Sequence, residues 1–179
     1  MIHFKYTDKE LKEILKTLTI IYDTREKQNL HILNYLIKND VPVKELKRDT
    51  GDYSAFIPAN AELGINRDIY FNAAIERKGS IDELVGNLLK DKRTAFENEL
   101  IRSQNAPFMI LVEEQDGYNK IVNGHYRSQY SVEALVGTLR SLEVKYNFRF
   151  VFLDQENSGH YIYTYFYYLA RNYLKSGAF

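Results

Sequence analysis

The 179-residue sequence contains no cysteine. Disulfide scaffolds, cysteine-ligated zinc, iron–sulfur clusters and thiol catalysis are therefore excluded. Tryptophan is also absent. Only 3 prolines and 9 glycines are present, which excludes collagen-like and low-complexity chains. Charge of either sign is not in excess, with 24 Lys and Arg against 24 Asp and Glu. A neutral chain cannot hold nucleic acid by bulk charge, so any such binding has to come from a local patch. Long hydrophobic runs are missing. The longest, Pro107 to Val112, is far too short for a bilayer span. The first residues lack an apolar targeting core and a small-residue cleavage site. These absences predict an intracellular protein with no membrane contact. What remains is 45% hydrophobic and 27% charged, with 15 Tyr and 10 Phe. That is enough to build the core of one ordinary domain spanning 1–179.

Thr7 with Glu10 forms a capping box, and Leu11, Ile14, Leu15 and Leu18 follow at helical spacing, which predicts a helix over 8–17. The β-branched run 18–22 reads as a buried strand that ends in Asp23-Thr-Arg-Glu26. A second helix carries Leu30, Leu33, Leu36 and Ile37 and stops before Pro42. Strands are expected over 43–48, 53–57 and 69–76, with a loop over 58–68. Ser80 and Glu83 form another capping box for a helix to about residue 89, and a further helix covers 92–104. The continuous apolar run 108–113 reads as a buried central strand. Residues 115–130 are polar and turn-rich and read as a long loop. Ser131 caps a helix bearing Leu135, Leu139 and Leu142. The last strand is 148–153, and a final helix runs from about 157 to 175. Short strands with flanking helices predict an α/β fold, a central mixed sheet covered on both faces.

Acidic and basic residues gather at the ends of expected strands, where sites tend to form. Within Ile75-Glu76-Arg77-Lys78, Glu76 and Lys78 share one strand face. A carboxylate beside a lysine, with an aspartate from a neighbouring segment, suits metal-assisted phosphodiester hydrolysis. Hard oxygen ligands hold Mg2+ and leave positions for water and phosphate. Such an ion polarises the phosphoryl oxygen and lowers the pKa of bound water. Lysine can orient that water or offset charge in the transition state.

Gly51-Asp52, Glu76-Arg77-Lys78 and Asp82 together fit the pattern GD-Xn-ERK-XXX-D. In this the sequence resembles the XPF-type nucleases, a branch of the PD-(D/E)xK restriction-endonuclease-like fold. Ile21-Tyr-Asp-Thr-Arg-Glu26, the passage 43–56, the helix after Lys78 and Ile110-Leu-Val-Glu113 carry the resemblance further, so that it covers about 20–153. It implies a DNA endonuclease acting on branched DNA (flaps, forks or junctions) with Mg2+ or Mn2+, leaving 5′-phosphate and 3′-hydroxyl ends. Alternatives are a nuclease of broader DNA specificity, a junction resolvase, or a catalytically silent module that binds DNA or a partner. The resemblance further implies that Asp52 and Glu76 are metal ligands, with the Arg77 carbonyl third and Asp23 direct or through water. Lys78 would position the water, Arg77 and Arg25 would organise the phosphate, and Glu26 and Asp82 would support the site. Clustered carboxylates repel without a cation, which independently points to a metal.

Each residue has a plainer reading. Asp23 and Glu26 suit a helix cap, Gly51-Asp52 a simple turn, Asp82 a favourable dipole position and Glu113 a surface acid. Lys90, Lys92 and Arg93 lie between two expected helices, as candidate DNA contacts or a solvated turn. Lys120, His125, Tyr126, Arg127 and Tyr130 give the expected loop groups that can meet phosphates and bases. Tyr161 to Leu169 is aromatic or apolar almost all round, which suits internal core or a homodimer interface. The sequence given stops without the helix-hairpin-helix module usual in the resembling family. The expectation is a stand-alone nuclease of phage or mobile-element type, or one served by a separate DNA-binding or helicase partner.

Overall fold

A computed structural model describes residues 6–176. They pack as two compact units, each assembled from separate stretches of chain. The first comprises residues up to Lys47, Tyr53–Asn72 and the chain from Gly159. The second comprises Arg48–Asp52 and Ala73–Ser158.

The first unit opens with helix α1 (Asp8–Lys16), and both halves of the Thr7–Glu10 capping box are formed. Strand β1 (Thr19–Tyr22) leads through helix α2 (Leu30–Lys38) to the short strand β2 (Val43–Glu45). β2 runs parallel to β1, with Ile20 opposite Val43. On its other side β1 pairs antiparallel with β3 (Tyr53–Ile57), and β3 pairs antiparallel with the two-residue β4 (Ile69–Tyr70). The expected strand over 69–76 is therefore split. Phe71, Asn72 and Ala73 interrupt it with a bend at Asn72, although the Phe71 N–H still meets the Ala55 carbonyl in the β3–β4 register. The expected strand over 43–48 stops at Glu45.

Helix α7 (Ser158–Ser176) buries Ile162, Phe166, Ala170 and Leu174 completely. That four-residue repeat is one apolar stripe, as helical geometry requires. Its N-terminus passes so close to α2 that a Cβ on Gly159 would lie 2.6 Å from the Tyr35 Cβ. Alanine normally favours a helix over glycine. Here Gly159→Ala is expected to do the opposite and cost about 1–3 kcal/mol by overpacking, measurable as a lower thermal midpoint.

The second unit is a run of parallel strands with helical crossovers. Strand β5 (Ala74–Lys78) is followed by α3 (Ile81–Asn87), α4 (Lys90–Ser103) and β6 (Phe108–Glu113). Helices α5 (Gly117–Val122) and α6 (Val132–Tyr146) then lead to β7 (Arg149–Leu153). β5 and β7 flank β6, both parallel to it. All residues of β5 and β6 are buried, as befits parallel strands covered by crossover helices. The core joins Leu84 and Val85 of α3, and Leu88 just after it, to Ile110 and Val112 of β6 and Leu135, Leu139 and Leu142 of α6.

The loop expected over 115–130 contains α5. Its signals were poor: Asp116 before it is left-handed (φ 55°), and the helix has six residues. Tertiary packing supplies what local propensity does not. Ile121 is buried in the core, and Gly117 lies where any Cβ would strike the Phe152 ring. Ser80 caps α3 as expected, but the second half of its box is shifted. The Glu83 carboxylate accepts from Gly79 N rather than from Ser80 N.

Candidate active site

The acidic–basic constellation of the second unit is built on β5. Alternation along the strand puts Glu76 and Lys78 on one face and Arg77 on the other. All three are more than nine-tenths buried. The Lys78 ammonium donates to the Glu76 carboxylate at 2.5 Å. Asp52 reaches the same strand from the preceding turn: its backbone N donates to the Ile75 carbonyl at 2.9 Å. Its Oδ2 accepts from the Arg77 backbone N at 2.8 Å. The turn requires glycine at position 51. φ there is +67°, and a Cβ would sit 2.8 Å from the Ala74 Cβ and 3.2 Å from the Ile75 carbonyl oxygen.

On the opposite face, the Arg77 guanidinium donates to Glu113 Oε2 at 2.6 Å. Register accounts for the pairing. Arg77 stands opposite Leu111 on β6, and Glu113 lies two residues further along the same face. Both side chains are buried. The reading of Glu113 as a surface acid is thus replaced by a buried ion pair.

Electrostatically, the Glu76 face has surplus negative charge. The Glu76 carboxyl is held well above the usual carboxylate range. Burial is the main cause, the Asp52 and Glu99 carboxylates add to it, and Lys78 only partly opposes them. Lys78 stays readily protonated: burial would lower its pKa, but Glu76, Asp52 and Glu83 hold it above the ordinary lysine value.

Among the described residues no group of three or more His, Asp or Glu side chains stands ready-made around a metal ion. The donor chemistry nevertheless fits a hard divalent cation. Asp52 and Glu76 offer oxygen ligands on one strand, the donor type such a cation prefers.

The remaining sequence candidates have definite places. Asp23, in the first unit, is 1% exposed. It binds Arg25 three times: through Arg25 N at 2.7 Å, Nε at 2.8 Å and a second guanidinium nitrogen at 3.0 Å. It does not cap α2, whose cap position is Asn29. Glu26 accepts from Gln28 N at 2.9 Å. Asp82, in the first turn of α3, accepts from Arg127 N at 2.8 Å and faces the exposed Arg127 guanidinium at 3.6 Å.

Lys90, Lys92 and Arg93 are not in an interhelical turn. They form the first turn of α4, with Leu89 at the cap position making no side-chain cap bond. The sequence hides this start, because cations oppose the dipole there and no capping side chain marks it. Arg93 pairs with Glu97 one turn on, at 2.8 Å. The tyrosines of the 115–130 segment are anchors: Tyr126 donates to the Tyr130 carbonyl, and Tyr130 to the Leu88 carbonyl. Lys120 pairs with Glu114. One residue escaped the sequence reading altogether. Glu99, midway along α4, accepts from Gly51 N at 3.0 Å. Its helical spacing from the buried Phe96 and Leu100 gave no hint of that role.

Taken as a whole, the fold is that of the XPF nucleases. The solved structure of XPF from Aeropyrum pernix superposes with a TM-score of 0.60 over 87% of this chain, at 18% identity. The same protein in complex with DNA gives 0.59 over 86%, also at 18% identity. This chain spans 66% and 65% of those two chains. No curated protein sequence matches at a significant level. The model of the ERCC4 domain matches residues 22–165. The chain belongs to the ERCC4 domain family, a family of DNA nucleases.

Proposed function

We propose that this chain is a metal-dependent DNA endonuclease that hydrolyses phosphodiester bonds, with branched DNA such as flaps, forks or junctions as its substrate. The observation that carries the reading is the buried Glu76–Lys78 strand face with Asp52 hydrogen-bonded to the same strand. Membership of the ERCC4 domain family supports DNA as substrate. So does the likeness to a structure described as a complex with DNA.

On this reading Asp52 and Glu76, with the Arg77 carbonyl, would hold Mg2+ or Mn2+. The ion, when bound, supplies Lewis-acid polarisation of the phosphoryl oxygen and a more acidic water. Lys78 orients the attacking water and offsets charge as the phosphorane forms. The Arg77–Glu113 pair fixes the far side of β5, so that Glu76 and Lys78 keep their geometry. Arg25, more exposed than Asp23, would steer phosphate, as would Lys90, Lys92, Arg93 and Arg127. Asp82 and Glu26 brace the segments that carry them. The two units together would then form one nuclease domain, since the family match runs through both. The exposed tyrosines of α7, Tyr168 above all, favour a homodimer. An intracellular site of action follows from DNA as substrate.

The test is cleavage of end-labelled flap, fork and linear duplex DNA with Mg2+, Mn2+ or EDTA. Branched substrates are expected to be cut with either metal, and chelation is expected to abolish cutting completely. Equal cutting of linear duplex would remove branch specificity and leave the chemistry. Tight binding with no cutting in any metal would turn the reading to a silent DNA-binding module.

A further inference from the structure

The turn that delivers Asp52 is held from a direction the sequence motif does not include. Residues Arg48–Asp52 belong to the second unit, although the chain on either side of them belongs to the first. Two side chains of α4, three residues apart and therefore on one helix face, reach that short stretch. Glu99 Oε1 accepts from Gly51 N at 3.0 Å, and Arg102 Nε donates to the Asp49 carbonyl at 3.1 Å. The Asp52 N–H then joins the Ile75 carbonyl. Gly51 takes its left-handed backbone without strain but is conformationally free, so the turn's position depends on what holds it. The Gly51 N–H to Glu99 bond satisfies a backbone donor of the turn. It lies one residue from the carboxylate on which the proposed chemistry depends.

We propose that Glu99 is a positioning residue: by holding the Gly51 N–H it fixes where Asp52 stands against β5. This rests on the nuclease reading above. Glu99 acts through the turn, and its acceptor oxygen, not its negative charge, is what matters. An amide oxygen supplies the same acceptor, so Glu99→Gln separates the two roles, while Glu99→Ala removes both. Arg102 shares the work from the other side of the turn, and its loss is expected to have a smaller effect because Glu99 remains.

The experiment uses the full chain as wild type, Glu99→Ala and Glu99→Gln, with two readouts. In cleavage of flap DNA with Mg2+, Glu99→Ala is expected to lose about 100-fold in kcat with KM little changed, the scale of a misplacement near one ångström. Glu99→Gln is expected to stay within about threefold of wild type, because the hydrogen bond survives. The second readout needs no catalysis. Amide hydrogen exchange over 48–52 is expected to quicken about tenfold in Glu99→Ala and to return to the wild-type rate in Glu99→Gln. Equal loss of kcat in both variants would overturn the inference, since charge would then be the active property. Exchange unchanged in Glu99→Ala would overturn it too. If wild-type protein cut no DNA in any divalent metal, the nuclease reading would fail by itself. The exchange rates would still decide whether Glu99 holds the turn.

Discussion

Changing Glu76 to glutamine is expected to lower DNA cleavage by about a thousandfold, the scale on which a misdirected metal and a lost transition-state contact are felt. The fold is expected to survive. The Glu76 carboxyl is buried beside Asp52 and Glu99 and holds its proton well above the ordinary carboxylate range. A neutral isostere removes a charge the site tolerates poorly, so the metal-free variant should melt at the same temperature as wild type or higher. The sign of the pH dependence follows from linkage. A carboxyl whose folded pKa is raised binds more protons folded than unfolded. It therefore draws stability away as pH rises from the ordinary carboxylate value towards its folded pKa. Wild type without metal should lose stability across that window, and Glu76→Gln should lose less. Added Mg2+ binds the folded form and should raise the wild-type midpoint, with little effect on the variant. Full cleavage by pure Glu76→Gln would sink the proposed chemistry.

Glu113→Ala is expected to be strongly destabilising. It takes a carboxylate partner from an arginine that is 6% exposed, and removing one member of a buried pair costs about 3–5 kcal/mol. For a chain of this size that is roughly a 10 °C fall in the thermal midpoint. Adding Arg77→Met to the same protein should recover most of the loss, because an apolar side chain of similar length leaves no stranded charge. A double variant no more stable than Glu113→Ala would show that the pair is not the source of the effect.

Much of this architecture was legible from sequence. The strand 53–57 and the strand 108–113 were read with their observed limits, since β-branched and apolar runs of strand length leave little choice. Ser131 was read as a cap, and it accepts from Ala134 N. Glu76 and Lys78 were read on one strand face, and they pair there, because i, i+2 alternation on a strand is local. Features set by distant partners were hidden. Nothing near Glu113 says that β6 will run parallel to β5 in the register that meets Arg77. Nothing near Glu99 says that α4 will face residues 48–52. Helix α5 lacked every local signal, and its existence depends on Ile121 and Gly117 fitting against β7 and α6. The aromatic surroundings of α7 were visible, but not which tyrosines would remain outside. Tyr168 is 58% exposed, whereas Phe166, two positions earlier, is fully buried.

The interleaving of the two units has a consequence for how the chain is made. Every residue of the unit bearing Asp52, Glu76 and Lys78 is translated before Gly159. The other unit waits for the stretch from Gly159, which α7 supplies. On the ribosome the parallel strands and their acidic face can therefore close first, while β1 and β3 still lack the stripe of Ile162, Phe166, Ala170 and Leu174. A nascent chain stalled before residue 159 would carry a complete carboxylate–lysine face beside a first unit that still lacks its apolar stripe.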